Sequence, residues 1–210
     1  GDHGAAVVTE ESDSRGDSFL TTVTREWQDA AAPAVEAGTR VCFLRTAPVI
    51  DGRGAPLKQL RILTRLGLGA RLGSGRQHMA MISLRDWVGG VAHLVEHEDV
   101  TGPVNLCSPQ APTNAEFTDA LARALGRRAL LVVPAFAIKV GAGRMAPEAL
   151  GSLNLRPSVL EAAGYRVAVL AQDALGVKLH AFERCARGRQ PAMAHPHDLA
   201  IVGLGRDHEL

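Results

Sequence analysis

The sequence is short of the residues that mark several common functions. Only 4% of its 210 residues are aromatic: two Trp, one Tyr and five Phe. Stacking platforms for single-stranded nucleic acid need more than that. Net charge is +1, with 23 Lys and Arg against 22 Asp and Glu, and no basic block stands out. Affinity for a phosphate backbone comes from clustered cations, so a broad nucleic-acid surface is not expected. The three cysteines, Cys42, Cys107 and Cys185, are widely spaced, with no CxxC. They make neither a disulfide framework nor a zinc ribbon. A reducing, cytoplasmic compartment is the expectation. No apolar run approaches the ~20 residues that cross a bilayer, so no membrane partner is expected. The opening GDHGAAVVTEESDSRGD is polar and lacks the layout of a secretory leader.

What is present is a globular balance, 46% hydrophobic and 21% charged. Asp17 or Ser18 can cap a helix. Behind them Phe19, Leu20, Val23, Trp27, Ala30, Ala31 and Ala34 recur at helical spacing, and Pro33 kinks or ends that run. Residues 39–45, TRVCFLR, have the length and apolarity of a strand buried on both faces. A helix, a glycine and a buried strand make half of a doubly wound α/β unit. Residues 46–56 form a loop at the strand's carboxyl end, the edge where such sheets place ligands. A basic helix follows at 57–66. The spacing predicts a helix over 86–96 with Val88, Val91, Ala92 and Val95 inward, and Asp86 capping its start. Residues 104–106 read as a strand. Thr113 and Glu116 form a capping box ahead of Phe117, Leu121, Ala124 and Leu125. Residues 130–133 are extended, a helix starts at Pro134, and a short helix occupies 157–163 before Gly164. A last amphipathic helix is expected at 171–186 and a loose tail at 187–210. Trp27 and Trp87 read as packing residues, Met79 and Met81 as gap fillers, and Cys42 and Cys107 as inert strand thiols.

The block LGSGRQHMAMISLRDW at 72–87 carries the most information. Around it stand GDHG…TEES, FLTTVTREWQDAA…AGTRVCFLRTAPVI, GPVNLCSPQAPTNAEFTDALARALGR, PAFAIKVGAGRMAPEAL and RPSVLEAAGYRV. In this order they resemble the back half of the extended short-chain dehydrogenase/reductase superfamily, in its atypical, epimerase-like branch. The resemblance covers roughly residues 1–180. It implies an α/β fold: the last part of a Rossmann-like parallel sheet with a smaller carboxyl-terminal α/β substrate domain. The corresponding division is 1–66 for the remnant of the NAD(P)-binding domain, 67–186 for the substrate domain and 187–210 for a tail. No strand–glycine turn–helix fingerprint is present; GLGARLGSG at 67–75 follows a basic helix instead. With Gly1 in place of Met, the expectation is the carboxyl-terminal portion of a longer protein.

The resemblance also implies a function. The whole protein would be an NAD(P)-dependent epimerase or oxidoreductase acting on a nucleotide sugar or similar small molecule. NADP or NAD would be held mainly by the absent half, so tight binding to this chain alone is not expected. A homodimer is possible. Thr46, Ala47, Pro48 and Val49 would flank the nicotinamide. Arg76 and Gln77 would face the substrate diphosphate, which a guanidinium grips through paired donors. The superfamily's proton-exchanging Tyr and Lys map onto Phe19 and Val23, neither of which carries a proton, so no catalytic residue can be named. A non-catalytic, regulatory member of the fold is the alternative. Arg45, a charge ending a buried strand, needs a carboxylate, a phosphate or solvent. His93-Leu-Val-Glu96-His97 spells the inverted zincin motif, which would need a third ligand such as Glu116 or Glu161. Without that context no metal is expected.

Overall fold

The computed structural model describes residues 2–52, 54–168 and 200–201. The expected helix at 171–186, the tail and Cys185 lie outside the described residues, apart from 200–201.

Ser18 opens the first helix, α1 (Phe19–Asp29), its hydroxyl accepting from the Thr21 amide. Pro33 neither kinks nor ends this helix. It sits in the first turn of a second one, α2 (Ala32–Glu36), where a missing N–H costs nothing. Gly38, at φ 80°, releases the chain. Next comes β2 (Val41–Thr46), which follows a short β1 (Val7–Val8) near the amino terminus. Strand β2 pairs in parallel with β6 (Gly102–Leu106), from Cys42 opposite Gly102 to Thr46 opposite Leu106. Its first two residues also pair with β9 (Ala200–Ile201). The described residues hold three further parallel pairs: β1 with β8 (Asn154–Leu155), β3 (Val49–Ile50) with β5 (Ile82–Ser83), and β4 (Ala70–Leu72) with β7 (Leu131–Val133). The expected loop at 46–56 is thus shorter than the sequence suggests. It holds β3, and α3 (Ala55–Arg65) begins before it ends.

Helix α4 (Leu84–Glu96) starts two residues earlier than the spacing predicts. Its cap is Ser83 rather than Asp86, and Asp86 returns the contact by accepting from the Ser83 hydroxyl at 2.7 Å. The buried face also differs. Val88 and Val95 are 53% and 41% exposed, while Gly90 and Leu94 are buried and Trp87 and Val91 pack on the core. Valines lie on two faces of this helix, and hydrophobicity alone does not say which one meets the sheet. The glycines decide it. A Cβ at Gly90 would stand 3.2 Å from Leu106 and 3.3 Å from Leu160, and one at Gly89 would collide with the Tyr165 hydroxyl. The helix approaches the sheet where it has no side chains to hold it off.

At its other end α4 is closed by Arg40, whose Nη1 donates to the carbonyls of Leu94, His97 and Val100 at 3.1–3.3 Å. The core beneath joins Ile82, Leu94, Val100, Val104, Leu106, Leu160 and Val167. A second cluster holds Leu57, Met81, Phe117 and Leu121, with Met79 against it, so both methionines fill core space. Trp27, expected to pack in the core or at a domain boundary, is 44% exposed on α1 and so lies outside the core. The further helices among the described residues are α5 (Asn114–Ala124), α6 (Ala135–Ala142), α7 (Ala146–Leu150) and α8 (Ser158–Ala162). The sequence boundary at 66/67 falls at the cap of α3, and the β2–β6 ladder joins strands from either side of it.

Candidate functional site

Thr46 to Val49 leave the carboxyl end of β2, the ligand edge of a parallel sheet. Thr46 is exposed and its hydroxyl accepts from Trp87 Nε1 at 3.1 Å. Ala47 is buried and its amide donates to the Leu106 carbonyl, which extends the β2–β6 ladder by one residue. Pro48 is exposed and its carbonyl accepts from the Ile82 amide; Val49 lies half-buried against the main core. This loop therefore has a fixed backbone, with one hydroxyl and one proline ring on its outer side.

Arg76 and Gln77 stand on a separate loop, between β4 and β5. Strand β4 runs into Gly73-Ser74-Gly75, where Gly73 and Gly75 take φ of 57° and 71°. A Cβ at Gly75 would meet Ala115 at 3.1 Å, a tight contact that adds to the preference its positive φ already gives glycine. The loop closes the start of α5: the amides of Ala115 and Asn114 donate to the carbonyls of Gly75 and Gln77, both at 2.9 Å. Asn114 replies, its Oδ1 accepting from the Leu72 amide at 2.8 Å. These bonds occupy amides at the start of α5 that would otherwise attract an anion. The Arg76 side chain is left exposed, and its own amide contacts Ser74 Oγ at 3.3 Å. Gln77 is buried, and its Nε2 donates to the Leu72 carbonyl at 3.0 Å and the Ala149 carbonyl at 3.5 Å. Five residues lie between Arg76 and Ile82, whose amide donates to the Pro48 carbonyl, so the chain holds the Arg76 main chain within about 20 Å of Ile82.

The positions matched to the superfamily's proton-exchanging pair hold apolar side chains. Phe19 lies exposed at the first position of α1, with the Arg144 guanidinium 5.1 Å from its ring centre. Val23 is half-buried. The chain's only tyrosine, Tyr165, packs over Gly89 and donates to the Asp86 carbonyl at 3.4 Å. Burial first, then the charge of Asp86, pushes its phenol above the ordinary value, the wrong direction for a base.

Two acidic residues carry contacts that the sequence reading did not single out. Glu148 on α7 accepts from the Ser18 hydroxyl at 3.0 Å and so ties α7 to the start of α1. Glu10 is buried and accepts from the amides of Asn105 and Val159, at 2.9 and 3.3 Å. Neither has a local spacing signal, because their partners are 130 and 95 to 149 residues away. Arg45 finds its partners inside the protein, donating to Gln28 Oε1 at 3.2 Å and the Glu10 carbonyl at 3.4 Å. His93 Nε2 contacts the Ala163 carbonyl and His97 Nδ1 the His93 carbonyl, with the two rings stacked at 3.7 Å. Among the described residues no three His, Cys, Asp or Glu side chains gather as a metal site.

Residues 133–166, from the end of β7 through α8, match a family described as Domain of unknown function (DUF1731). The chain is 42% identical over 161 residues to Epimerase family protein Mb2239 of Mycobacterium bovis, covering 76% of this chain and 53% of that protein. To the human Epimerase family protein SDR39U1 it is 33% identical over 139 residues, 66% of this chain and 47% of the relative. It thus spans about half the length of the curated relatives it matches. The crystal structure of human epimerase family protein SDR39U1 with NADPH superposes with a TM-score of 0.74 at 26% identity, covering 85% of this chain and 62% of the other. The nucleoside-diphosphate sugar epimerase of Corynebacterium glutamicum gives 0.65 at 27% identity, over 90% and 39%. The chain is a relative of the epimerase family proteins, corresponding to about half of their length and built on the Rossmann-like α/β fold of the short-chain dehydrogenase/reductase epimerases.

Proposed function

We propose that this chain supplies the substrate-recognition wall, and one flank of the nicotinamide site, of an NAD(P)-dependent epimerase-like oxidoreductase. Its substrate is a nucleotide sugar or a similar small molecule bearing a diphosphate. One observation carries the reading: Arg76 extends an exposed side chain from a loop whose main chain is held by hydrogen bonds to α5 and β7. A fixed backbone with a free fork of donors suits a phosphate, because little freedom is lost on binding. Thr46, Ala47, Pro48 and Val49 border the nicotinamide, with the Thr46 hydroxyl and the Pro48 ring outermost. These residues fit one face of that cofactor. A loop to cradle its pyrophosphate is not found among the described residues: β4 precedes the glycines at 73 and 75, but an extended segment rather than a helix follows them. When bound, the cofactor supplies hydride exchange. The chain's own part is to hold the substrate diphosphate and wall off solvent. The cytoplasm is the proposed compartment.

Titrating NADPH, NADH and UDP into the chain, and into a version extended at its amino terminus, tests this. The expected result is UDP binding to both and tight dinucleotide binding to the extended version alone. Tight NADPH binding by the 210-residue chain would refute the division of labour. A second reading, a non-catalytic binding protein, is favoured by Phe19, Val23 and the raised Tyr165 phenol. Hydride transfer measured at 340 nm against a panel of nucleotide sugars and carbonyl compounds separates the two.

A further inference from the structure

We infer that Gln77 is a positioning residue for Arg76, clamping the substrate loop to helix α7, and does not itself touch the ligand. This inference rests on the reading of Arg76 as the diphosphate contact. Gln77 is 7% exposed, directly after an exposed arginine. Its amide nitrogen has two hydrogens, and both have carbonyl targets on different elements: Leu72 at the end of β4 and Ala149 on α7. The first bond closes the turn that contains Gly73, Ser74 and Gly75. The second crosses 72 residues of sequence into the segment matched by the domain family at 133–166. Leu150, the next residue on α7, packs its Cδ2 3.3 Å from the place a Cβ would take on Gly73. Helix α7 therefore touches the loop at both ends of the turn, and Gln77 is its polar tie.

The other side of α7 is anchored as well. Glu148 accepts from Ser18, the cap of α1. The loop's direction is thus referred to three elements outside it: α5 and β7 through main-chain bonds, the Gly73 amide donating to the Val133 carbonyl at 2.9 Å, and α7 through Gln77. A guanidinium on a flexible stem gains affinity from a base that does not move, since less freedom is lost on binding. With its nitrogen spent on two carbonyls, Gln77 has no donor left to offer a phosphate.

A double-mutant cycle on the full chain, read by calorimetric titration of UDP, tests this. Arg76→Ala is expected to weaken UDP at least about tenfold, the loss of a charge-assisted contact. Gln77→Met, neutral and of similar size, is expected to weaken it about three- to tenfold, since neutral hydrogen bonds are worth less. In the Arg76→Ala background Gln77→Met should add nothing, because its effect runs through Arg76. Hydrogen exchange at residues 73–77 should quicken in Gln77→Met. A Leu160→Val variant, which lowers stability in the main core, should leave UDP affinity unchanged.

Additive effects of the two substitutions would overturn the inference in favour of direct contact by Gln77. Unchanged affinity in Gln77→Met, or an equal loss in Leu160→Val, would overturn it while leaving Arg76 in place. No UDP binding by the wild-type chain, or none lost in Arg76→Ala, would remove the reading of Arg76 and this inference with it.

Discussion

A single buried thiol shows how far environment outweighs residue type. Cys107 is fully buried at the carboxyl end of β6, and burial followed by the charge of Glu10 pushes its thiol up to about 12. Cys42, whose Sγ lies 3.2 Å from the Val100 carbonyl, is raised in the same direction by burial. The nucleophile is the thiolate, so neither residue offers one at neutral pH. Peptide mapping after brief alkylation at pH 8 should find both unmodified in the folded chain and both modified in denaturant. The sign for stability follows. A thiol raised on folding ionises first in the unfolded chain, so Cys107 favours the fold below pH 9 and its contribution fades as pH rises from 9 towards 12. Denaturant midpoints at pH 8 and 10.5 should show the fall, beyond what a Cys107→Ser variant shows. The inert character of both cysteines was legible from their short apolar strands. The buried acid beside Cys107 was not, because the Glu10 contacts link residues far apart in the chain.

At the scale of elements, legibility followed the reach of the signal. The capping box was readable because it is local. Thr113 Oγ1 accepts from the Glu116 amide, and the Glu116 carboxylate accepts from the Thr113 amide and hydroxyl at 2.8 and 2.9 Å. Those bonds hold the Glu116 carboxyl below its ordinary value. This part of the stability is present above the unfolded pKa of about 4.3 and is lost as pH falls through the folded one. Thr113→Ala should cost about 1 kcal/mol in chemical unfolding at pH 7 and less at pH 3. An equal cost at both values would contradict the box. The face of α4 was misread for the opposite reason. Its rotation is set by Gly89 and Gly90 meeting Tyr165, Leu106 and Leu160, contacts with partners up to 76 positions away. Pro33 looked like a helix breaker and proved a helix starter, since proline suits the first turn as well as the end.

For the whole molecule, order of segments carried more than any single motif. The sheet class, the Arg76 loop and the relation to epimerase family proteins were all visible in the sequence. The way α7 braces that loop was not, because α7 is only five residues long and lacks a periodic signature. Exposure is uneven across the fold. Leu130, Leu131, Val132, Phe136, Val140 and Met145 are all exposed along β7, α6 and the turn after it. Patches of this kind bind apolar probes in the folded state. An anilinonaphthalene sulfonate titration under native conditions should give enhanced fluorescence, reduced by Phe136→Ser together with Val140→Ser. A signal equal to that of the dye alone would mean the patch is covered. No helix among the described residues is long and apolar enough to cross a membrane.

The hold of Arg40 on the end of α4 has a kinetic side. Its three acceptors lie 54 to 60 positions further along the chain. Beside the local bonds of His97 to the His93 carbonyl, this helix terminus is held by a residue at the threshold of β2. Contacts of such long separation are slow to form, because the intervening chain must be ordered before they return anything. The Arg40 contacts span about the same length of chain as the β2–β6 pairing, so this tertiary hold on the helix end is expected to form with the ladder rather than with the helix itself.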